Sequence, residues 1–124
     1  MSYRISKQFG FSASHVLKGL KPGHQCARTH GHNYLIQAEL EAAELNPVGF
    51  VADYGELAPF GRWLDATFDH RHLNDVMETN PTAEHLAHMC ATRLIRMFEG
   101  ERARVAAVGV SETPKTWAWY HPPR

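Results

Sequence analysis

Hydrophobic and polar positions alternate almost from the start of the chain. Tyr3, Ile5, Phe9, Phe11, Ala13 and His15 take odd positions, and Arg4, Ser6, Gln8, Ser12 and Ser14 take even ones, with Lys7 the exception. A period of two over this length predicts a half-buried strand. A long connection over 16–29 follows, containing Gly19, Pro22 and Gly23. Alternation then resumes, with His32, Tyr34, Ile36, Ala38 and Leu40 on one face and Asn33, Gln37, Glu39 and Glu41 on the other. The two runs are expected to pair as antiparallel neighbours.

The middle of the chain changes period. Asp53 followed by Glu56 makes a capping-box-like start, and Leu57, Phe60, Leu64 and Phe68 then recur at helical spacing. Pro59 predicts an irregular first turn, or a helix proper that begins near it. A second helix is capped by Asn80 or Thr82, carries the stripe Leu86, Met89, Cys90, Leu94, Met97 and Phe98, and stops at Gly100. Two further strands close the chain. Ala106, Val108, Val110 and Glu112 share one face of the first. Trp117, Trp119 and His121 alternate in the second, after a turn at Thr113-Pro114-Lys115. The expectation is a single α+β domain over 1–124, with a four-stranded antiparallel sheet and two helices in ββααββ order. Four strands leave two open edges, for which oligomerisation is a natural solution.

Composition narrows the classes. The 124 residues are 44% apolar and 21% charged, ordinary globular usage. Thirteen basic residues balance thirteen acidic ones, which disfavours a general nucleic-acid binder. No apolar run reaches the roughly 18 residues that span a bilayer, and alternation begins too early for a leader. The chain is therefore expected to be cytoplasmic and not to bind membranes. Two cysteines, Cys26 and Cys90, are too few for a disulfide scaffold. Nine histidines are many for this length.

His30 and His32 lie two apart, on one face of a strand. His15 ends the apolar face of the partner strand, so a hairpin would bring three imidazoles to one end of the sheet. Three neutral imidazoles with room for a fourth ligand suit a catalytic zinc, although such a site accepts other divalent ions and three separate core histidines would give the same pattern. Cys26, four residues before His30, reads as a fourth ligand, an inert thiol or a reactive one. Cys90 reads as a buried hydrophobe. Asp69 and His70 can form an oriented acid–base unit or a solvated loop, and His72 is a weaker candidate for that role. Glu112 extends an apolar face. It either sits in water past the strand end or faces a cleft, where its carboxylate suits a ligand with two adjacent N–H donors.

Taken together, six segments resemble the 6-pyruvoyl-tetrahydropterin synthase family over nearly the whole chain. They are Phe9-Gly10-Phe11-Ser12-Ala13-Ser14-His15, the run from Gly23 to Tyr34 containing Cys26, His30 and His32, and Asp53-Tyr54-Gly55-Glu56-Leu57. The others are Phe68-Asp69-His70-Arg71-His72-Leu73-Asn74, Asn80-Pro81-Thr82-Ala83-Glu84 and Val110-Ser111-Glu112-Thr113. Three residues separate Cys26 from His30, an interval similar to that of the carboxy-forming branch, the 6-carboxytetrahydropterin synthases of bacterial 7-deazaguanine (queuosine) biosynthesis.

The resemblance implies a tunnelling fold (T-fold), whose subunits join sheets into an oligomeric barrel, commonly a homohexamer with active sites between subunits. It implies Zn2+ on His15, His30 and His32, and catalytic roles for Cys26, Asp69 and His70. Glu112 would anchor a pterin ring, with Thr82 and Glu84 near the same pocket. The implied substrate is the small-molecule pterin triphosphate 7,8-dihydroneopterin triphosphate. The implied reaction is a lyase reaction giving 6-carboxy-5,6,7,8-tetrahydropterin, acetaldehyde and triphosphate. Formation of 6-pyruvoyl-tetrahydropterin, or a non-catalytic zinc-stabilised module closed by Cys26, are the alternatives. Pro59 and the segment Thr113-Pro114-Lys115-Thr116-Trp117 depart from the family pattern.

Overall fold

The computed structural model describes residues 2–123. Strand β1 (Tyr3–His15) pairs antiparallel with β2 (His30–Ala42) in unbroken register, from Tyr3 opposite Ala42 to His15 opposite His30. Helix α1 spans Ala58–Thr67 and α2 spans Ala83–Met97. A two-residue strand, β3 (Arg71–His72), lies between them in sequence. Strands β4 (Arg104–Ser111) and β5 (Ala118–Tyr120) complete the sheet in the order β3-β1-β2-β4-β5.

Hydrophobic burial explains why the alternation becomes this sheet. Phe11, Tyr34, Ile36, Leu40, Val108 and Val110 come from one sheet face, and Phe60, Leu64, Leu86, Cys90 and Leu94 from the helices; all are buried in one core. Each large apolar side chain so buried contributes roughly 1.5–3 kcal/mol. The Phe11 ring stacks between Tyr34 and Phe68, with centroids 5.2 and 5.3 Å away. The other face is polar, with Ser12 bonded to Asn33 and Gln8 to Gln37. Buried Glu41 is held there between Arg4 and Arg104.

Pro59 acts as its position predicts. Asp53 and Glu56 form a reciprocal capping box on a 3-10 turn over Tyr54–Leu57, and α1 starts after it with proline in its first turn. There the missing N–H has no helical partner to lose. Thr82, not Asn80, caps α2, accepting from His85 N–H at 3.1 Å.

One expectation is corrected. The sheet has five strands and is mixed, not four-stranded and antiparallel, because β3 runs parallel to β1. Local hydrogen bonds hold it there. His70 N–H donates to the Ser12 carbonyl at 2.6 Å, and Ser12 N–H donates to Asp69 Oδ1 at 3.0 Å. His72 Nδ1 lies 2.9 Å from Ser14 Oγ. Two residues are too few for an alternating pattern to show in the sequence. Among the described residues no helix is long and apolar enough to cross a membrane.

Candidate functional site

The hairpin register builds the first part of the site. His15 is the last residue of β1 and lies directly opposite His30, the first of β2; His32 follows two residues on, on the same face. One ligand atom from each lies within 4.8 Å of the others. The ring nitrogens of His15 and His30 approach to 3.0 Å, Nε2 to Nε2.

Hydrogen bonds assign the tautomers. His15 Nδ1 lies 2.8 Å from the Pro81 carbonyl, and His30 Nδ1 lies 2.6 Å from the Arg28 carbonyl. A carbonyl only accepts, so each Nδ1 carries the proton and each Nε2 a lone pair. Two lone pairs facing each other at this distance require a cation or proton between them. His32 Nε2 is buried with no hydrogen-bond partner. Burial lowers the pKa of both His15 and His32; the Pro81 carbonyl and then Glu112 partly oppose it at His15, and Glu112 at His32. The neutral imidazole that this favours is the form that binds metal. The three residues therefore fit a divalent ion, and borderline-soft nitrogen donors suit zinc. Tyr34 supports the group from below, its hydroxyl 3.1 Å from His15 Nδ1.

Cys26 sits half-buried in a 3-10 turn over Gln25–Ala27. Its N–H donates to His24 Nδ1 at 3.0 Å, and its carbonyl accepts from Leu17 N–H at 3.1 Å. It is not part of the ligand group that the three histidines form among the described residues.

Glu112 lies just past the end of β4, a quarter exposed, with Oε2 3.7 Å from His32 Nε2. It lines a cavity of about 270 Å3 with Thr82, Glu84, Leu17, Val110 and Trp117. The structure thus brings Glu112, Thr82 and Glu84 into one pocket beside the histidines. The Thr82 hydroxyl already accepts from the α2 backbone, which leaves its proton to donate.

Asp69 and His70 lie elsewhere. They lie at the outer edge of β1, where His70, but not Asp69, lines an open groove of about 490 Å3 together with His72, His32, Ser12 and Ser14. His70 Nδ1 is 3.0 Å from Asp69 Oδ2, and the His70 side chain is 83% exposed. Its backbone is left-handed, at φ 58°. The Ser12 N–H, then His70, hold the Asp69 carboxyl below its ordinary range. The pair is oriented as an acid–base unit, but it does not line the Glu112 cavity of its own chain.

Two asparagines were invisible as site residues in the sequence. Asn74 bonds both backbone groups of Val16, and Asn80 both backbone groups of Lys18. Each side-chain amide mimics a strand partner and pins the start of the Cys26 loop. Asn80→Ala is expected to cost about 1–2 kcal/mol of stability, the loss of two ordinary hydrogen bonds. Thermal melting checks this, with faster hydrogen exchange at the Lys18 amide as the local signature.

Fold and site together define a class: an α+β protein with three histidines that could hold a metal ion, set beside a small cavity. The chain belongs to the 6-pyruvoyl tetrahydropterin synthase family, whose sequence profile matches residues 4–123. It is 26% identical to the 6-carboxy-5,6,7,8-tetrahydropterin synthase of Rickettsia bellii, over 90% of this chain and 94% of that one. It is 29% identical to the dihydroneopterin monophosphate aldolase of Pyrococcus furiosus, over 82% of each. The structure of Caenorhabditis elegans 6-pyruvoyl tetrahydropterin synthase superposes with a TM-score of 0.85 at 26% identity, covering 99% of this chain and 97% of that one.

Proposed function

We propose that the chain, as one domain over 1–124, is a zinc-dependent lyase. It converts 7,8-dihydroneopterin triphosphate and water to 6-carboxy-5,6,7,8-tetrahydropterin, acetaldehyde and triphosphate. The observation that carries the reading is the placement of Glu112, which lines a cavity while its carboxylate sits 3.7 Å from a buried imidazole nitrogen that has no hydrogen-bond partner. A ring held by Glu112 would extend its side chain toward the metal. The relatives named 6-carboxytetrahydropterin synthase support the carboxy-forming outcome.

His15, His30 and His32 would hold the zinc, which when bound supplies Lewis acidity toward the substrate's side-chain hydroxyls. Glu112 accepts from a ring N–H and the exocyclic amine, fixing the ring so that its side chain points at the histidines. Cys26 takes a side-chain proton. His70 is the second proton-transfer group, with Asp69 holding Nδ1 so that Nε2 faces the substrate. Asp69 and His70 would serve a neighbouring subunit's Cys26, in a homohexamer whose open sheet edges join. That arrangement accounts for a paired, oriented histidine standing 83% exposed.

The test is incubation of zinc-loaded protein with 7,8-dihydroneopterin triphosphate and mass spectrometry of the products. The carboxypterin with acetaldehyde supports the reading. A pyruvoyl product, aldol cleavage to the hydroxymethylpterin, or no turnover overturns it. Glu112→Gln replaces one acceptor with a donor that faces another donor. It is expected to lower kcat/KM about 30- to 1000-fold, from the loss of roughly 2–4 kcal/mol, with zinc content unchanged.

A further inference from the structure

A groove along the exposed face of α2 takes no part in the site described above. It measures about 460 Å3 and shares no residue with the Glu112 cavity or with the groove beside His70. Its apolar lining includes half-buried Val76 and Met89 and buried Met77. Exposed Arg93 and Arg96 line it too, three residues apart and therefore on one face of the helix. Glu78 is the single carboxylate among the lining residues.

Trp63 holds Arg93 in place. The indole is wedged against Phe60 and Phe68, with centroids 5.8 and 5.2 Å away, and the Arg93 guanidinium carbon lies over it, 5.6 Å from the ring centroid. That contact restrains the guanidinium without using any of its N–H donors. Other guanidinium groups are already committed: Arg4 and Arg104 to Glu41, and Arg102 to the carbonyls of Glu44 and Val51. Among the described residues Arg93 and Arg96 have no ion pair and no side-chain hydrogen bond. Like charges three apart on a helix repel. A place in the last turn, beside the negative end of the helix dipole, explains Arg96 alone. An anion gripped by both would offset the repulsion within the pair.

We propose that this groove binds a small aromatic anion, a flat ring body carrying one phosphate, sulfonate or carboxylate group. Arg93 and Arg96 take the anionic group through charge-assisted hydrogen bonds. Met77 and Met89 take the ring, since thioether sulfur makes favourable contacts with aromatic rings and its flexible side chain adapts to their shape. The volume suits the class, falling within the roughly 300–1,000 Å3 of small-molecule sites. The site is separate from the pterin reading and stands without it.

The test uses zinc-loaded full-length protein and 8-anilinonaphthalene-1-sulfonate, an aromatic sulfonate whose emission rises in apolar surroundings. Titration is expected to show saturable binding. Arg96→Gln, which breaks no ion pair or hydrogen bond among the described residues, should weaken it about 10- to 100-fold, the loss of a bond to a charged group. Arg93→Gln should act in the same direction. Arg62→Gln, exposed on α1 outside the groove, should match wild type. N-phenyl-1-naphthylamine, with the same rings and no sulfonate, should bind at least about tenfold more weakly than the sulfonate. Excess neopterin, a pterin directed at the Glu112 cavity, should not displace the probe. Tm and zinc content of Arg96→Gln should equal those of wild type. Absence of saturable binding, equal affinity in wild type and Arg96→Gln, equal weakening by Arg62→Gln, or equal affinity for the uncharged rings overturns the inference. Displacement by neopterin also overturns it, since the probe would then occupy the Glu112 cavity. A fall in the Tm of Arg96→Gln does so as well, because the residue would then be structural.

Discussion

His15→Ala is expected to abolish metal binding and also to destabilise the fold, whereas His30→Ala abolishes metal binding with little effect on the fold. One ring nitrogen from each of the three histidines lies within 4.8 Å of the others, a group that could hold a metal ion, so each loss would leave only two of the three donors. His15, however, is fully buried and bonded to the Pro81 carbonyl at the head of α2. Its removal leaves a cavity and a carbonyl without its partner, together about 2–4 kcal/mol. His30 is only partly buried and bonds the carbonyl of Arg28 in the loop. Metal content by elemental analysis and Tm of the metal-free proteins separate the two effects. Zinc retained at one per chain in all three alanine variants would remove the site. Equal Tm for metal-free wild type and His15→Ala would show that the imidazole contributes nothing to packing.

Cys26→Ala is expected to lose turnover by about 10²- to 10⁴-fold while binding a full complement of zinc, the loss appropriate to a proton-transfer group. The thiol lies in the loop pinned by Asn74 and Asn80, outside the ligand group. Its removal therefore leaves the three ring nitrogens undisturbed. Metal loss on this substitution would make it a ligand after all. Mixing inactive Cys26→Ala with inactive His70→Ala subunits should restore part of the activity, because a mixed assembly contains some sites with both groups intact. No recovery from the mixture, with subunit exchange verified by mass spectrometry, would show that each chain works alone.

Alternation made β1, β2 and their shared face legible in the sequence, and that parity was sufficient to bring His15, His30 and His32 together. The Asp53–Glu56 box and Pro59 likewise gave the start of α1 to within a turn. What stayed hidden has a common cause: bonds between a side chain and a distant backbone group leave no periodicity. Asn74 to Val16, Asn80 to Lys18, Asp69 to Ser12 and His15 to Pro81 are all of this kind. β3 escaped notice for a different reason: two residues are too few to show alternation, and it is placed by its pairing with β1 and by the bond from Ser12 N–H to Asp69. Glu112 was ambiguous between water and a cleft because strand parity says nothing past the last paired residue. The structure places it at a cavity wall, a quarter exposed.

His15 and His30 face each other across thirteen consecutive residue pairs. Their separation is therefore set by the ladder and not by the fourteen residues of chain that connect them. An insertion or deletion inside either strand would turn the ligands to opposite sides of the sheet. The same change between Val16 and Thr29 would leave their geometry alone. Yet that tolerant stretch carries the thiol. The architecture thus separates a part that cannot drift from a part that can: the three histidines are set by the hairpin, and the loop that carries Cys26 is free to lengthen or shorten. A lineage built on this hairpin can vary that one loop without disturbing the geometry of the three histidines.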